Sequence, residues 1–344
     1  MSERGIGMAT DIAEQPGVYA TLLEPARLSA ISQIAKVIAE RRPQHVVFTA
    51  RGTSDHAALY AAYLTEIRLG LPAGLASPSA ITVFGARPDL SNALVVGVSQ
   101  SGGSPDLTEV LRVAREQGAL TLAVTNNPES PLVNTAELSI DVAAGHERAV
   151  AATKTYTAEL LALLLLVESI AGGGSLGADE LAELAKLPEL AEQTLADTTP
   201  AQLAPRYRFA DRVVTTGRGY AYPGAREAAL KLMETSYIAA LAFSGADLLH
   251  GPLAMTDPDV PVLALVGAGL GGAAMKDVLA RLGERRADVV TVGPEGTLRV
   301  PGVDERYAPL LEILPLQKLA LEIALGRGEN PDAPRGLKKV TETL

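Results

Sequence analysis

The chain has 344 residues, 47% hydrophobic and 4% aromatic, with 30 basic against 40 acidic side chains for a net charge of −10. That length suits two domains rather than one core, and the apolar content rules out disorder on composition. The acidic balance argues against a nucleic-acid surface, and the lack of any cysteine removes disulfides, thiolate metal sites and a cysteine nucleophile.

Met1 to Gln15 carries charges and no continuous apolar stretch, unlike a signal peptide, and residues 1–40 read as a helical lead-in. From about residue 45, short β-branched runs alternate with longer Ala/Leu-rich stretches. Strands are expected at His45–Thr49, Leu94–Val98, Leu120–Thr125 and Leu138–Val142, with helices at Ser54–Leu69 and Pro105–Gln117. Such alternation predicts a parallel sheet covered by helices on both faces. A long helix, Lys154 to Ala171, ends at Gly172-Gly173-Gly174. Its apolar run Leu160–Val167 is far short of the roughly 20 residues of a membrane span, so a cytoplasmic protein without membrane contact is expected. Ser175 to Pro205 reads as helix plus linker.

The pattern then restarts. Strands are expected at Arg212–Thr216, Val262–Val266 and Val289–Val292, with helices at Pro223–Tyr237 and Gly271–Arg285. An offset of 167 residues (213 minus 46) lays Val213-Val214 on Val46-Val47, Arg218-Gly219 on Arg51-Gly52 and Val262 on Val95. A constant register of self-matches indicates internal duplication. The fold class is therefore α/β, two tandem doubly wound halves, each a three-layer parallel sheet between helices. The boundaries expected are 41–174 for the first half, 175–205 for helix and linker, 206–330 for the second half and 331–344 for a C-terminal tail.

Directly after Leu94–Val98 comes Ser99-Gln100-Ser101-Gly102-Gly103-Ser104-Pro105 and then a helix. Ligands bind at the carboxyl ends of strands in open α/β sheets, and a Gly-rich turn at a helix N-terminus presents N–H groups to an anion. The hydroxyls of Ser99, Ser101 and Ser104 add donors; an ordinary capped strand–turn–helix is the alternative reading. The duplicated turn, Val266-Gly267-Ala268-Gly269, has no hydroxyls, so only the first half is expected to hold phosphate. No G-x-G-x-x-G with a following acid is present, which speaks against a dinucleotide.

Glu227, Lys231 and Glu234 are spaced by four and three along one helix face, as in a solvated salt-bridge ladder or an acid–base cluster. The four histidines, at 45, 56, 146 and 250, have no metal-ligand spacing, so neither metal nor cofactor is expected.

Six blocks in order carry a family resemblance: Arg51-Gly52-Thr53-Ser54, Ser99-Gln100-Ser101-Gly102, Ala151-Ala152-Thr153-Lys154, Gly217-Arg218-Gly219-Tyr220, His250-Gly251-Pro252-Leu253-Ala254 and Pro334-Arg335-Gly336-Leu337-Lys338-Lys339. Over about residues 40 to 344 the chain resembles the isomerase half of the glucosamine-6-phosphate synthase family, built from sugar-isomerase (SIS) domains. The resemblance implies that Ser54, Ser99, Gln100, Ser101 and Ser104 hold a sugar phosphate, with Gly52, Thr53, Ala152 and Glu227 lining the site. It implies Glu234 as the base moving a proton between C1 and C2, with Lys231 beside it stabilising enediolate-like charge. It implies His250 for ring opening, reaching the neighbouring subunit's site in a homodimer, and Lys339 as a Schiff-base lysine on a tail over the site.

The synthases begin with a glutaminase domain whose nucleophile is a cysteine, whereas these 344 residues hold no cysteine, and rim positions differ: Gly103-Ser104, Ala152, and Ala246-Asp247-Leu248-Leu249 before His250. Ammonia from glutamine is thus not expected of this chain. Deamination with isomerisation of glucosamine 6-phosphate is expected, with dehydration of N-acetylglucosamine 6-phosphate or non-catalytic sugar-phosphate sensing as alternatives.

Overall fold

The computed structural model of the chain describes residues 4–338. It divides into two units. The first comprises residues 15–146 and 154–188, together with Lys338; the second comprises 4–14, 147–153 and 189–337.

In the first unit, β1 (His45–Thr49), β2 (Ala73–Leu75), β3 (Ala93–Ser99), β4 (Leu120–Thr125) and β5 (Leu138–Asp141) form one sheet in the order β2-β1-β3-β4-β5. Every pairing is parallel. All seven residues of β3 and all six of β4 are buried, as strands covered on both faces must be, which is why they read as continuous apolar runs. On one face Leu107, Val110 and Leu111 of the Pro105–Glu116 helix pack with Val95 and Leu132. The Lys154–Ala171 helix is buried from Lys154 to Ser169 and packs against helices Pro25–Arg41 and Thr53–Leu64.

The second unit repeats the plan. Its strands β6 (Arg212–Gly217), β7 (Ala239–Ser244), β8 (Pro261–Leu265), β9 (Asp288–Gly293) and β10 (Leu298–Arg299) run, in sheet order, β7-β6-β8-β9-β10, again all parallel. Read from that edge, both sheets follow the order 2-1-3-4-5. The duplication inferred from the 167-residue offset is thus a duplication of topology. In this order the chain reverses direction between the first and third strands, which opens a crevice at their carboxyl ends.

Several elements differ from expectation. The Ser54–Leu69 helix becomes π-helical over Thr65–Leu69. Gly271–Arg285 splits into helices Gly269–Ala273 and Lys276–Glu284, where small residues weaken the helix. The stretch read as helix plus linker carries helices Ala178–Leu184, Leu187–Ala196 and most of Thr199–Tyr207. No helix among the described residues is long and apolar enough to cross a membrane.

Candidate active site

In the first unit the turns after β1 and β3 form the two lips of the crevice. After β1, Gly52 adopts φ 56 with ψ −127, a conformation only glycine reaches without strain. Arg51 joins the lips: its Nε and Nη2 lie 2.9 and 2.8 Å from the Asp106 carboxylate in the first turn of the Pro105–Glu116 helix.

The loop after β3 is shaped by its own serines. The Gly102 N–H donates to Ser99 Oγ at 3.1 Å, and the Gly103 N–H donates to Ser101 Oγ at 3.3 Å. Both hydroxyls act here as acceptors, which leaves their protons for a ligand. Ser104 stands at the N-cap of the Pro105–Glu116 helix without making a side-chain cap; Pro105 has no N–H and the Leu107 N–H donates to Asp106 Oδ1 at 2.9 Å, so the Asp106 N–H is what the first turn offers an anion. Ser54, in contrast, donates its proton to Glu159 at 2.8 Å in a buried pair, so in this arrangement it offers a ligand lone pairs only. Thr53 and Gln100 are half-buried at the same edge.

Gly102 fixes the loop. Its φ is +61, and a Cβ there would stand 2.2 Å from Ser130 Oγ and 2.4 Å from Ser130 Cβ. Ser130 cannot easily yield, because its hydroxyl caps the Pro131–Thr135 helix. Gly102→Ala is therefore expected to cost roughly 2–4 kcal/mol of local strain and to raise KM for a phosphorylated substrate at least about tenfold. Adding Ser130→Gly should relieve the clash but not the backbone term, so steady-state kinetics of the single and double variants separate the two.

In the second unit, the Ala221–Ser236 helix carries the acid–base cluster. Lys231 Nζ lies 3.2 Å from Glu227 Oε1 and 2.6 Å from Glu234 Oε2. Side-chain exposure decides between ladder and cluster: Lys231 and Glu227 are 0% exposed and Glu234 is 22% exposed. A solvated ladder is excluded. Burial alone would lower the Lys231 pKa, but the carboxylates on either side outweigh it and hold the ammonium above its ordinary value. The cluster is thus a buried cation between two acids, of which only Glu234 reaches solvent.

Past this helix, Tyr237 takes a left-handed conformation (φ 55), and its hydroxyl accepts a 2.7 Å bond from the Arg335 N–H. The Arg335 guanidinium stacks on the same ring at 4.0 Å. This clamp ties the base of the C-terminal tail to the end of the cluster helix. Nothing in the sequence links positions 98 residues apart. Lys339 itself lies outside the described residues. His250 caps the Gly245–Leu249 helix and is exposed, and Ala152 is half-buried in the 147–153 segment.

The second unit's counterpart of the serine loop is lined by acids. The Gly271 N–H donates to Glu305 Oε2 at 3.0 Å. Glu312, on the Ala308–Gly326 helix, is 1% exposed, and both its carboxyl oxygens lack hydrogen-bond partners among the described residues. A Cβ at Gly267 would sit 2.6 Å from Glu312 Oε1. Burial pushes this carboxyl up to about 8. Between the ordinary value of 4.5 and about 8 the unfolded chain has released this proton while the folded chain keeps it. Stability from this group is therefore full below pH 4.5 and is lost as pH rises through 8. The total loss is roughly 3–5 kcal/mol. Glu312→Gln is expected to flatten this slope, read from urea unfolding midpoints at several pH values.

Comparison with known proteins follows the same lines. The SIS domain family model matches residues 41–169 and 207–292. A glutamine–fructose-6-phosphate aminotransferase (isomerizing) of Gloeobacter violaceus is 36% identical over 96% of this chain, which spans 58% of that protein's length. Among solved structures, the C-terminal domain of glucosamine-fructose-6-phosphate aminotransferase from Francisella tularensis superposes with a TM-score of 0.86 at 28% identity, covering 97% of this chain and 100% of that one. Glucosamine-6-phosphate deaminase from Thermotoga maritima shares the fold with a TM-score of 0.79 at 22% identity, covering 98% of this chain and 100% of its own.

Proposed function

The chain belongs to the SIS domain family, and from that premise we propose that it acts on a hexosamine 6-phosphate by proton transfer between C1 and C2, as a glucosamine-6-phosphate deaminase and aldose–ketose isomerase. The observation that carries the reading is the Glu227–Lys231–Glu234 cluster, in which a fully buried ammonium stands against a partly exposed carboxylate.

In this reading the phosphate is held by the hydroxyls of Ser99, Ser101 and Ser104, the Gln100 amide and the Asp106 N–H at the start of the Pro105–Glu116 helix. Thr53 and Ser54 flank it, Ser54 after turning from Glu159, and the backbone of Gly52 completes the wall; Ala152 is assigned to substrate binding by family resemblance alone. On the open-chain amino sugar, Glu234 takes the proton from C2. The electron pair forms a C1–C2 double bond and charge gathers on the C1 oxygen, where an ammonium such as Lys231 stabilises it electrostatically. The proton returns at C1, leaving a C2 imine; the Lys339 amine displaces ammonia from it, and water then hydrolyses the lysine imine, releasing the ketose phosphate and restoring the amine. Glu227 keeps Lys231 charged and in place. His250 serves ring opening and, being exposed on the single chain, is assigned to the neighbouring site of a homodimer. Lys339 is assigned the Schiff base with the ketose.

The test is incubation with glucosamine 6-phosphate and, separately, N-acetylglucosamine 6-phosphate, with products followed by mass spectrometry. Fructose 6-phosphate and ammonia from the free amine support the proposal. Loss of water from the acetylated sugar replaces it with elimination from C3 by the same base. Tight binding of either sugar without turnover replaces it with a sensor.

A further inference from the structure

At the opposite edge of the first unit's sheet, where β1 and β3 begin, lies a cavity of about 280 Å³. Its walls are aliphatic and aromatic: Val46 and Phe48 of β1, Leu94 and Val96 of β3, and Leu163 and Leu166 of the Lys154–Ala171 helix, all buried. It is partly open to solvent, so left unfilled it keeps apolar surface against water, and a guest that covers that surface gains the burial.

Two features at its margin point to a ligand rather than a packing defect. The first is Arg42, which lines the cavity and caps the Pro25–Arg41 helix at φ 51, ψ 58. That position normally favours glycine, and a long charged side chain held there is the kind of local strain that clusters at binding sites. Arg42 is exposed, and its guanidinium has no partner among the described residues. The second is the π-helical turn Thr65–Leu69, whose two end residues, Thr65 and Leu69, line the same cavity. Single π turns recur at functional sites because they re-aim side chains at a local cost.

We propose that this cavity binds a small monocarboxylic acid, its apolar tail within and its carboxylate paired with Arg42. A void of about 150 Å³ accepts a benzene-sized guest, so this one suits a molecule of roughly ten heavy atoms. An apolar wall supplies affinity without orientation, and the single cation at the margin supplies both orientation and preference for an anion. The site is independent of the sugar-phosphate reading, since it uses none of the residues assigned to catalysis.

Octanoate is the probe, measured by calorimetry on the intact chain, with octanol as its uncharged counterpart. Saturable octanoate binding is expected, about tenfold or more tighter than octanol. Arg42→Gly is the informative variant. It suits the left-handed backbone, so the fold should be retained or strengthened, yet octanoate should weaken at least about tenfold. Arg42→Lys should recover part of the loss, and Ile170→Trp, which adds bulk at a half-buried position of the wall, should abolish binding of both probes. No saturable octanoate binding up to millimolar concentration overturns the site. Equal binding of acid and alcohol, unchanged in Arg42→Gly, overturns the acid assignment.

Discussion

Glu234→Gln is expected to lower kcat for amino-sugar phosphate turnover by about 10²–10⁴-fold, with KM changed by no more than about threefold. The amide keeps the shape of the carboxylate and a polar contact to Lys231, which lies 2.6 Å from Glu234 Oε2 in the native chain. What it loses is the ability to accept a proton. The phosphate contacts assigned to the serine loop are untouched, which is why the effect should fall on kcat. Exchange of the substrate C2 hydrogen with deuterated water gives a second readout that does not need product release. A variant that keeps kcat within tenfold, or keeps C2 exchange, would remove Glu234 from the role of base.

The second large effect concerns stability. Lys231→Met should destabilise the chain by about 3–5 kcal/mol, because the wholly buried Glu227 is then left without its cation. The double variant Glu227→Gln, Lys231→Met removes charge from both buried positions and should recover a substantial part of the loss, as apolar or neutral replacements of buried ion pairs often do. Urea denaturation of the single and double variants measures the difference. Equal stability of wild type and Lys231→Met would mean that water reaches Glu227 and that the cluster is not sealed.

The sheet cores were legible because burial on both faces writes itself as continuous apolar runs; β1 and β4 and the Lys154–Ala171 helix fall where those runs lie. The edges were not. Ala73–Leu75 and Leu298–Arg299 are too short for any periodicity, and Ala239–Ser244 is rich in alanine, which has little strand preference. For the candidate site, spacing placed Glu227, Lys231 and Glu234 on one face, but only packing could distinguish a wet face from a dry one. Tyr237 and Arg335 meet through tertiary structure alone. Glu312 did leave a mark: it is an isolated acid inside the apolar run Ala308–Leu316, a pattern that costs too much to be incidental.

The interleaving of the two units has a consequence for the order in which the protein is made. The N-terminal helix Ile6–Ala13 has no side-chain cap of its own; Asp332 supplies it, accepting from the Gly7 N–H at 3.0 Å and the Met8 N–H at 2.7 Å. The ribosome must therefore travel 324 residues beyond Met8 before the Ile6–Ala13 helix can be capped. The first unit, Lys338 apart, is fully synthesised by residue 188. The serine-loop unit can thus mature during synthesis while the Ile6–Ala13 helix still waits for Asp332. A chain that stops before Asp332 would carry a finished serine-loop unit and an uncapped Ile6–Ala13 helix.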